Sequence, residues 1–225
     1  MPRRAMTIAV TLCATVTAGC ASATVLGSAN PETDPYRHRL LGQLDLPVST
    51  FHGWEVVETA RPPEVDAGSG RERDVRPTEC APGSAVRSGL DAVVGGGSRW
   101  TGATGTGPNG QGFQASLYSG NDAPLSDVTK YMDACRRVTF TGDAGQETWA
   151  ITEFTPRDRG DFTELVGYST ATTQPQPATV ATSTTIVGRS GSMTLVLTYD
   201  SPGLLNRDQV DAAWKAAADK FARTG

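Results

Sequence analysis

The sequence predicts a loop-rich α+β or β-rich domain. Hydrophobic residues make up 38% of the 225 residues and aromatic residues 7%, while 25 glycines and 14 prolines indicate many turns. Several segments rich in β-branched residues favour strands, and other segments with apolar residues at helical spacing favour helices. Without an amino-terminal leader, about 205 residues remain, which is enough to bury one core.

The first twenty residues predict a lipoprotein signal peptide. Arg3 and Arg4 form a basic start, an apolar run follows over Ala5–Val16, and the segment ends at Thr17-Ala18-Gly19-Cys20. A helix needs about 20 apolar residues to cross a bilayer core of about 30 Å, so this shorter run predicts an export signal. We therefore expect residues 1–20 to be a signal peptide and the remaining chain to be extracytoplasmic.

Cys20 is the predicted lipid acceptor. Small residues precede it, although Thr17 stands where Leu, Val or Ile is usual in lipoproteins. Fatty acyl chains such as palmitate on Cys20 would anchor the protein to the outer face of the cell membrane, since each buried methylene contributes about 0.8 kcal/mol. The alternative is a secretory signal cleaved after Ala21-Ser22-Ala23, which would release a soluble protein.

The charge of the chain disfavours a polyanion as partner. The formal charge of −4 becomes −6 when Arg3 and Arg4 leave with the signal peptide. An acidic domain repels nucleic acid, so we expect no nucleic-acid partner. Basic residues other than Lys130, Lys215 and Lys220 are arginines, a usage typical of the GC-rich genomes of actinobacteria.

The positions of the four cysteines predict different roles for them. Cys13 leaves with the signal peptide and Cys20 carries the lipid, so Cys80 and Cys135 remain. In an oxidising compartment a remaining pair favours a disulfide, which on the chain-entropy model stabilises the fold by about 4 kcal/mol. The alternative is a reactive thiol, which would need a histidine partner, and neither His38 nor His52 has a recognisable catalytic context.

The first part of the mature chain is predicted to contain short elements separated by polar segments. Residues 21–35 are small and polar with two prolines, and we expect them to be a flexible tether to a domain over residues 36–225. Beyond the tether we expect, in order, a helix, a strand, a long surface loop and a second helix, at Tyr36–Leu46, Phe51–Thr59, residues 60–79 and Ser84–Val94.

A hairpin and a helix are predicted next. Arg99–Thr104 and Gln111–Ser119 form the two arms of the hairpin, joined across Pro108-Asn109-Gly110, because Asn and Gly tolerate positive φ. The helix follows Pro124 with Ser126 as its predicted N-cap. Its apolar face carries Val128, Tyr131, Met132 and Cys135, which places Cys135 where it can meet Cys80.

The last third is predicted to be strands followed by one helix. The strands are Val138–Thr141, Thr148–Thr155, Phe162–Thr170, Thr179–Val187 and Ser192–Tyr199. Ala171–Ala178 is predicted to be a loop, because it contains two prolines. Asn206–Arg223 is the best helix: Asn206 and Gln209 resemble a capping box, and its apolar stripe is formed by Val210, Ala213, Trp214, Ala217 and Phe221.

Two short motifs have simpler structural interpretations. Residues 105–110 match G-x-G-x-x-G, but a dinucleotide site needs a strand before the motif and a helix after it, whereas a strand follows here. We therefore interpret these residues as a hairpin loop. Arg159-Gly160-Asp161 spells an adhesion tripeptide, and we interpret it as a solvated turn.

The sequence contains few residues in patterns that indicate catalysis or metal binding. Five carboxylates on or near neighbouring strands could form an acid/base pair: Asp143, Glu147, Glu153, Asp158 and Asp161. His38 and His52 lack a third ligand at metal spacing, so neither a metal nor a cofactor is expected. Trp54, Trp100, Trp149 and Trp214 are interpreted mostly as core, although one exposed tryptophan would suit a ligand groove.

The chain resembles actinobacterial lipoproteins built on the extracytoplasmic sensor domain of a mycobacterial receptor serine/threonine kinase. The residues that carry the resemblance are the lipobox at Cys20, the approach Pro77-Thr78-Glu79-Cys80, the helix Leu125–Arg137 with Tyr131 and Cys135, the strand pair from Thr179 and the closing helix with Trp214. It covers residues 36–223. The resemblance implies a single α+β domain with a twisted antiparallel sheet packed by helices, a cleft, and ligand binding or sensing without catalysis. Two disulfides are usual in the sensor domain, and this chain has cysteines for one.

These observations favour a membrane-anchored, extracytoplasmic lipoprotein with a non-catalytic ligand-binding or sensor-like domain. Its expected partners are the membrane, through the lipid on Cys20, and a small molecule, a lipid or another envelope protein. One alternative is a cell-envelope hydrolase that uses paired carboxylates. Another is a structural partner of an envelope protein, which an exposed apolar patch of several hundred Å² would indicate.

Overall fold

The computed structural model describes residues 37–59, 74–142, 145–175 and 178–223. The predicted signal peptide, Cys20 and the tether lie outside these residues. Within the described part of the chain, no helix combines the length and the apolar character needed to cross a membrane.

In the described residues, nine strands form one sheet in which every neighbouring pair is antiparallel. The strands are β1 (Glu55–Thr59), β2 (Asp74–Arg76), β3 (Arg99–Thr106), β4 (Gly112–Ser119), β5 (Arg137–Gly142), β6 (Gly145–Glu153), β7 (Glu164–Pro175), β8 (Ala178–Ser190) and β9 (Met193–Ser201). Their order across the sheet is β1-β3-β4-β9-β8-β7-β6-β5-β2. Together with the helices described next, this arrangement confirms the expected α+β class and antiparallel sheet.

Helices pack on both faces of the sheet, and the side-chain alternation of the central strand β9 explains why. Leu195, Leu197 and Tyr199 are buried on one face, while Val196 is buried on the other. Successive side chains of a strand point to opposite faces, so an apolar run of this kind needs cover on both sides.

The first face is covered by α3 (Arg207–Ala222) and by two 3-10 turns, Arg37–Arg39 and Gln43–Asp45. Trp214 of α3 is fully buried there. The side chain of Asn206 accepts a hydrogen bond from the backbone N–H of Gln209 at 3.2 Å, as the sequence predicted.

The second face is covered by α1 (Ala85–Gly95), α2 (Ser126–Ala134) and a 3-10 turn at Thr78–Cys80. Ser84 caps α1 by accepting the N–H of Arg87 at 3.2 Å. The predicted disulfide between Cys80 and Cys135 is present, with Cα atoms 5.8 Å apart, and it ties the 3-10 turn to the end of α2.

Four local predictions were wrong. Tyr36–Leu46 is not an α-helix: within its described part there are two 3-10 turns, because the Asp45 carboxylate accepts the N–H of Gly42 at 2.8 Å and starts a new turn. Part of the predicted loop 60–79 is strand β2, which pairs with β5 far along the chain. Residues 171–175 continue β7, since Pro175 lies at the end of its ladder where no N–H is required. Finally, Ser126 is the first residue of α2 and not its cap.

Gln209 connects α3 to the sheet instead of completing a capping box. Its Oε1 accepts the hydroxyl of Tyr199 at 2.6 Å, and burial raises the pKa of Tyr199 to about 12. A folded-state pKa above the unfolded value of about 10 stabilises the fold below pH 10, and this contribution is lost as the pH rises towards 12.

We therefore expect the stability of Tyr199→Phe to fall less steeply between pH 10 and pH 12 than that of the wild type. The measurement is urea unfolding at several pH values across this range. A variant with the same slope as the wild type would contradict this assignment of the buried phenol.

Candidate ligand-binding groove

A groove with a volume of about 420 Å³ lies between α2 and the start of β7, beside the connection from β6 to β7. Its lining combines apolar side chains with hydroxyl groups and charges. The apolar members are Leu125, Met132, Phe154, Leu165 and Val166, and the polar ones are Ser126, Thr129, Glu153, Thr155, Arg159 and Glu164.

One wall of the groove is a single side of α2. Ser126, Thr129 and Met132 follow one another at intervals of three residues, so they share one side of the helix. Val128 and Tyr131 are buried against the sheet on another side. The helix is therefore oriented by its buried side chains, and its hydroxyl-bearing side is left to the groove.

Two polar side chains hold the segment that leads into α2. Asn121 is buried, donates to the carbonyl of Val93 at 2.8 Å and accepts the N–H of Ala123 at 3.1 Å. Arg189 of β8 donates to the carbonyl of Ala123 at 2.6 Å and forms an ion pair with Glu164 at 3.5 Å. The start of α2 is thus tied both to the end of α1 and to the sheet.

The opposite wall is the connection between β6 and β7, which is bound to the first turns of α3. Arg157 forms ion pairs with Asp208 at 2.8 Å and Asp211 at 3.2 Å. Arg207 donates to the carbonyl of Thr155 at 2.6 Å. Because these contacts join residues about fifty positions apart, the wall depends on the packing of α3.

Two further contacts extend this attachment. Trp214 donates its indole N–H to the carbonyl of Asp158 at 2.9 Å, and the Asp158 carboxylate forms an ion pair with Lys215 at 3.2 Å. The backbone N–H of Gly160 and the Lys215 ammonium lower the pKa of Asp158. Asp158 is therefore ionised at neutral pH and holds the wall through Lys215.

Gly167 allows the backbones of β6 and β7 to approach closely at the floor of the groove, which Phe154 and Gly167 line. The strands β6 and β7 remain paired beyond Glu153, since the N–H of Phe154 donates to the carbonyl of Gly167 at 2.9 Å. A Cβ atom on Gly167 would lie 2.7 Å from the carbonyl oxygen of Phe154, a distance that side chains do not tolerate. Above this point the Arg207 guanidinium covers the Phe154 ring at 4.8 Å, which links the floor to α3.

The comparisons with known proteins concern the fold. No protein-family model matches the sequence, and no curated protein is significantly similar to it. The chain is structurally similar to the extracellular domain of PknH from Mycobacterium tuberculosis. The TM-score is 0.48 at 11% identity, over 82% of this chain and 93% of that domain. This similarity in fold agrees with the expected resemblance to a mycobacterial kinase sensor domain.

A second similar structure belongs to a Mycobacterium smegmatis protein described as the ortholog of Rv0999. Its TM-score is 0.43 at 14% identity, over 77% of this chain and 98% of the other. At sequence identities this low, PknH and the Rv0999 ortholog are similar to this chain in fold alone.

One of the five carboxylates proposed from the sequence lines the groove. This residue is Glu153, and it is joined there by Glu164, which the sequence did not single out because it lies inside a strand of ordinary composition. Glu147 accepts hydrogen bonds from Trp149 of its own strand β6 and from Gln174 of the neighbouring strand β7. Asp158 is bound to α3, Asp161 is exposed in the turn, and Asp143 lies outside the described residues.

The two short motifs take the positions that their simpler interpretations predicted. Residues 105–110 form the end of β3 and most of the hairpin turn to β4, and Gly110 has the positive φ of 77° that the turn requires. The Arg159 tripeptide lies in a turn, although its arginine also lines the groove. His38 and His52 are exposed, and the described residues contain no group of three side chains able to hold a metal.

The four tryptophans mostly belong to the core. Trp54 and Trp214 are buried, while Trp100 and Trp149 are partly buried, and none of them lines the groove. The groove residues are instead ordinary Ser, Thr, Met and Leu positions whose convergence has no signal in the linear sequence.

Proposed function

We propose that this protein is an extracytoplasmic, lipid-anchored lipoprotein whose domain binds a small amphiphilic ligand without catalysis. The observation that carries the proposal is the groove beside α2, which joins an apolar floor to a polar rim. Its volume lies within the range of roughly 300–1,000 Å³ that is typical of ligand pockets.

The lining supports an amphiphile as the ligand class. Val166 and Met132 offer an apolar surface, while Arg159 and Glu153 bring opposite charges to the same groove. Glu164 already interacts with Arg189 at 3.5 Å, which reduces its contribution to the net charge of the rim. A lipid, or a small molecule with an apolar body and a dipolar head group, matches this distribution.

The location is supported by two independent features. The Cys80–Cys135 disulfide is typical of proteins that fold in an oxidising compartment. The leader ending at Cys20 supports export and acylation, which would hold the domain at the outer face of the cell membrane. Mass spectrometry of the mature amino terminus tests the acylation.

Ligand binding in the groove is tested by placing a larger side chain on the side of α2 that lines it. We expect Thr129→Trp to fill the groove, because Thr129 is exposed and lines it, and to abolish the thermal stabilisation that a bound envelope lipid gives the wild type. The matched control is Lys130→Trp, one residue further along the helix, where the side chain is exposed and does not line the groove.

The measurement is a thermal-shift screen of the purified protein and both variants against cell-envelope lipids and lipid-linked glycans. Equal stabilisation of the wild type and Thr129→Trp would exclude the groove as the binding site. The absence of any shift throughout the screen would count against an amphiphilic ligand.

A hydrolase remains the second candidate, because two carboxylates line the same groove. Glu153 and Glu164 both lie there, and retaining or inverting glycosidases use such a pair. Conversion of a bound glycan to product, lost in Glu153→Gln while binding persists, would favour this function over binding alone.

A further inference from the structure

The groove runs along an edge of strand β7 and not over a face of the sheet. Four consecutive residues of β7 line it: Glu164, Leu165, Val166 and Gly167. Successive side chains of a strand point to opposite faces of the sheet, so a groove over one face would be lined by alternate residues only. A ligand in the groove therefore lies beside the backbone of β7.

This edge of β7 is open because β6 ends beside it. The last hydrogen bond between the two chains joins the N–H of Phe154 to the carbonyl of Gly167 at 2.9 Å. Beyond it the chain turns towards α3, where the N–H of Arg157 donates to the carboxylate of Asp211 at 3.1 Å. Residues 164–166 pair with β8 on one side, and within the described part of the chain no strand pairs with them on the other.

The backbone of Leu165 directs its N–H and its carbonyl to the open edge. Residues that bond to the same neighbouring strand alternate along an antiparallel strand, so Leu165 points to the same side as Gly167. The register in which Glu153 faces Tyr168 would place Pro156 opposite Leu165, and a proline has no N–H to donate. Among the described residues, no backbone hydrogen bond reaches Leu165 from this side.

We propose that the groove binds an extended peptide, which adds to β7 as a short antiparallel strand. The proposal rests on the ligand-binding function proposed above and names the class of ligand. The peptide residue opposite Leu165 would exchange two hydrogen bonds with it. The peptide residues before and after would point to the face of Val166, where Met132 of α2 also packs. The acyl chain of a lipid has no group that pairs with the N–H and carbonyl of Leu165, which favours a peptide among amphiphiles.

The charges of the groove complement a peptide that carries both signs. Arg159 and Glu153 line the groove and are exposed, and neither forms an ion pair within the described residues. Glu164 is already paired with Arg189 at 3.5 Å. An acidic side chain at one end of the peptide and a basic one at the other would therefore pair with Arg159 and Glu153.

Amide hydrogen exchange, followed by nuclear magnetic resonance, tests the open edge in the free protein. The N–H of Val166 is directed to Val187 of β8, whereas that of Leu165 is directed to the groove. We expect the Leu165 amide to exchange at least about tenfold faster than the Val166 amide. Equal protection of the two amides overturns the proposal.

The ligand class is tested with acetylated and amidated pentapeptides. Their second and fourth residues are Val or Leu, which would face α2, and they carry Glu at one end and Lys at the other, in both orders. We expect binding to slow the exchange of the Leu165 amide. N-methylation of the third peptide residue should weaken binding about tenfold, because it removes the N–H that Leu165 would accept. Failure of every peptide to bind, or equal binding with and without the methyl group, overturns the proposal.

The protein side is tested with Leu165→Pro against Leu165→Ala. Both variants lose the leucine side chain, but only the proline variant loses the N–H, and a strand tolerates proline where the N–H points out of the sheet. We expect Leu165→Pro to bind the peptide about tenfold more weakly than Leu165→Ala, and equal binding overturns the proposal. If Leu165→Pro does not fold by circular dichroism, the N-methylated peptide decides alone.

The peptide and the proposed function fail separately. A wild-type protein that envelope lipids stabilise in the thermal-shift screen, but that binds none of the pentapeptides, excludes the added strand and leaves the groove as a ligand site. A protein that binds neither lipids nor peptides removes both. Peptide binding that persists in Thr129→Trp overturns the added strand, because the peptide would then bind outside the groove.

Discussion

Replacing Trp214 with alanine is expected to lower the free energy of unfolding by about 3–5 kcal/mol. Trp214 is fully buried between α3 and the sheet, and its ring packs against Phe162 at a centroid distance of 5.2 Å. The substitution leaves a cavity and removes the hydrogen bond to the carbonyl of Asp158. Because folded domains are stable by only about 5–15 kcal/mol, this is a large fraction of the total.

The measurement is urea unfolding followed by circular dichroism, with two control variants. Trp214→Phe keeps an aromatic ring and loses the indole N–H, so we expect an intermediate loss. Lys215→Ala, at the next position, removes only exposed ion pairs with Asp158 and Asp219 and should cost less than about 1 kcal/mol. Equal stability of Trp214→Ala and Lys215→Ala would show that the core beneath α3 does not depend on the indole.

Removing the disulfide is expected to cost about 4 kcal/mol on the chain-entropy model. Cys80 and Cys135 are separated by 55 positions in sequence, and both are buried. The bond joins the 3-10 turn before α1 to the end of α2, so its loss also frees the helix that forms one wall of the groove. The variant is the double substitution of Cys80 and Cys135 by alanine.

Reduction provides the control for this experiment. Dithiothreitol should lower the unfolding midpoint of the wild type to that of the double variant and leave the double variant unchanged. A reduced wild-type protein that unfolds at the oxidised midpoint would contradict the expected contribution.

Local signals predicted the elements that depend on local physics. The β3–β4 hairpin follows from a turn around Gly110, strand β9 follows from its run of strand-favouring residues, and α3 follows from the stripe that includes Trp214. The cysteine pair followed from elimination and compartment. The residues that determine the hairpin, the strand and the helix are close together in sequence, and the disulfide was predictable because only two cysteines remained.

The failures at strand β2 and at the groove have a common physical origin in contacts between distant residues. Strand β2 has one buried side chain, Val75, and exists because it pairs with β5 more than sixty positions later. The groove depends on Arg189 reaching Ala123 and on Arg157 reaching Asp211, contacts that no periodicity records. Tertiary contacts therefore decide these features, and residue types alone do not.

The length of α3 separates the groove wall from the 3-10 turn that contains Asp45. Its 16 residues span about 24 Å, with the groove wall bound to its first turns and Lys220 near its other end. That span exceeds the Debye length of about 8 Å at physiological ionic strength. A change of charge at the Lys220–Asp45 ion pair should consequently be screened at the groove, so that a substitution there leaves the electrostatic potential that a bound ligand meets almost unchanged.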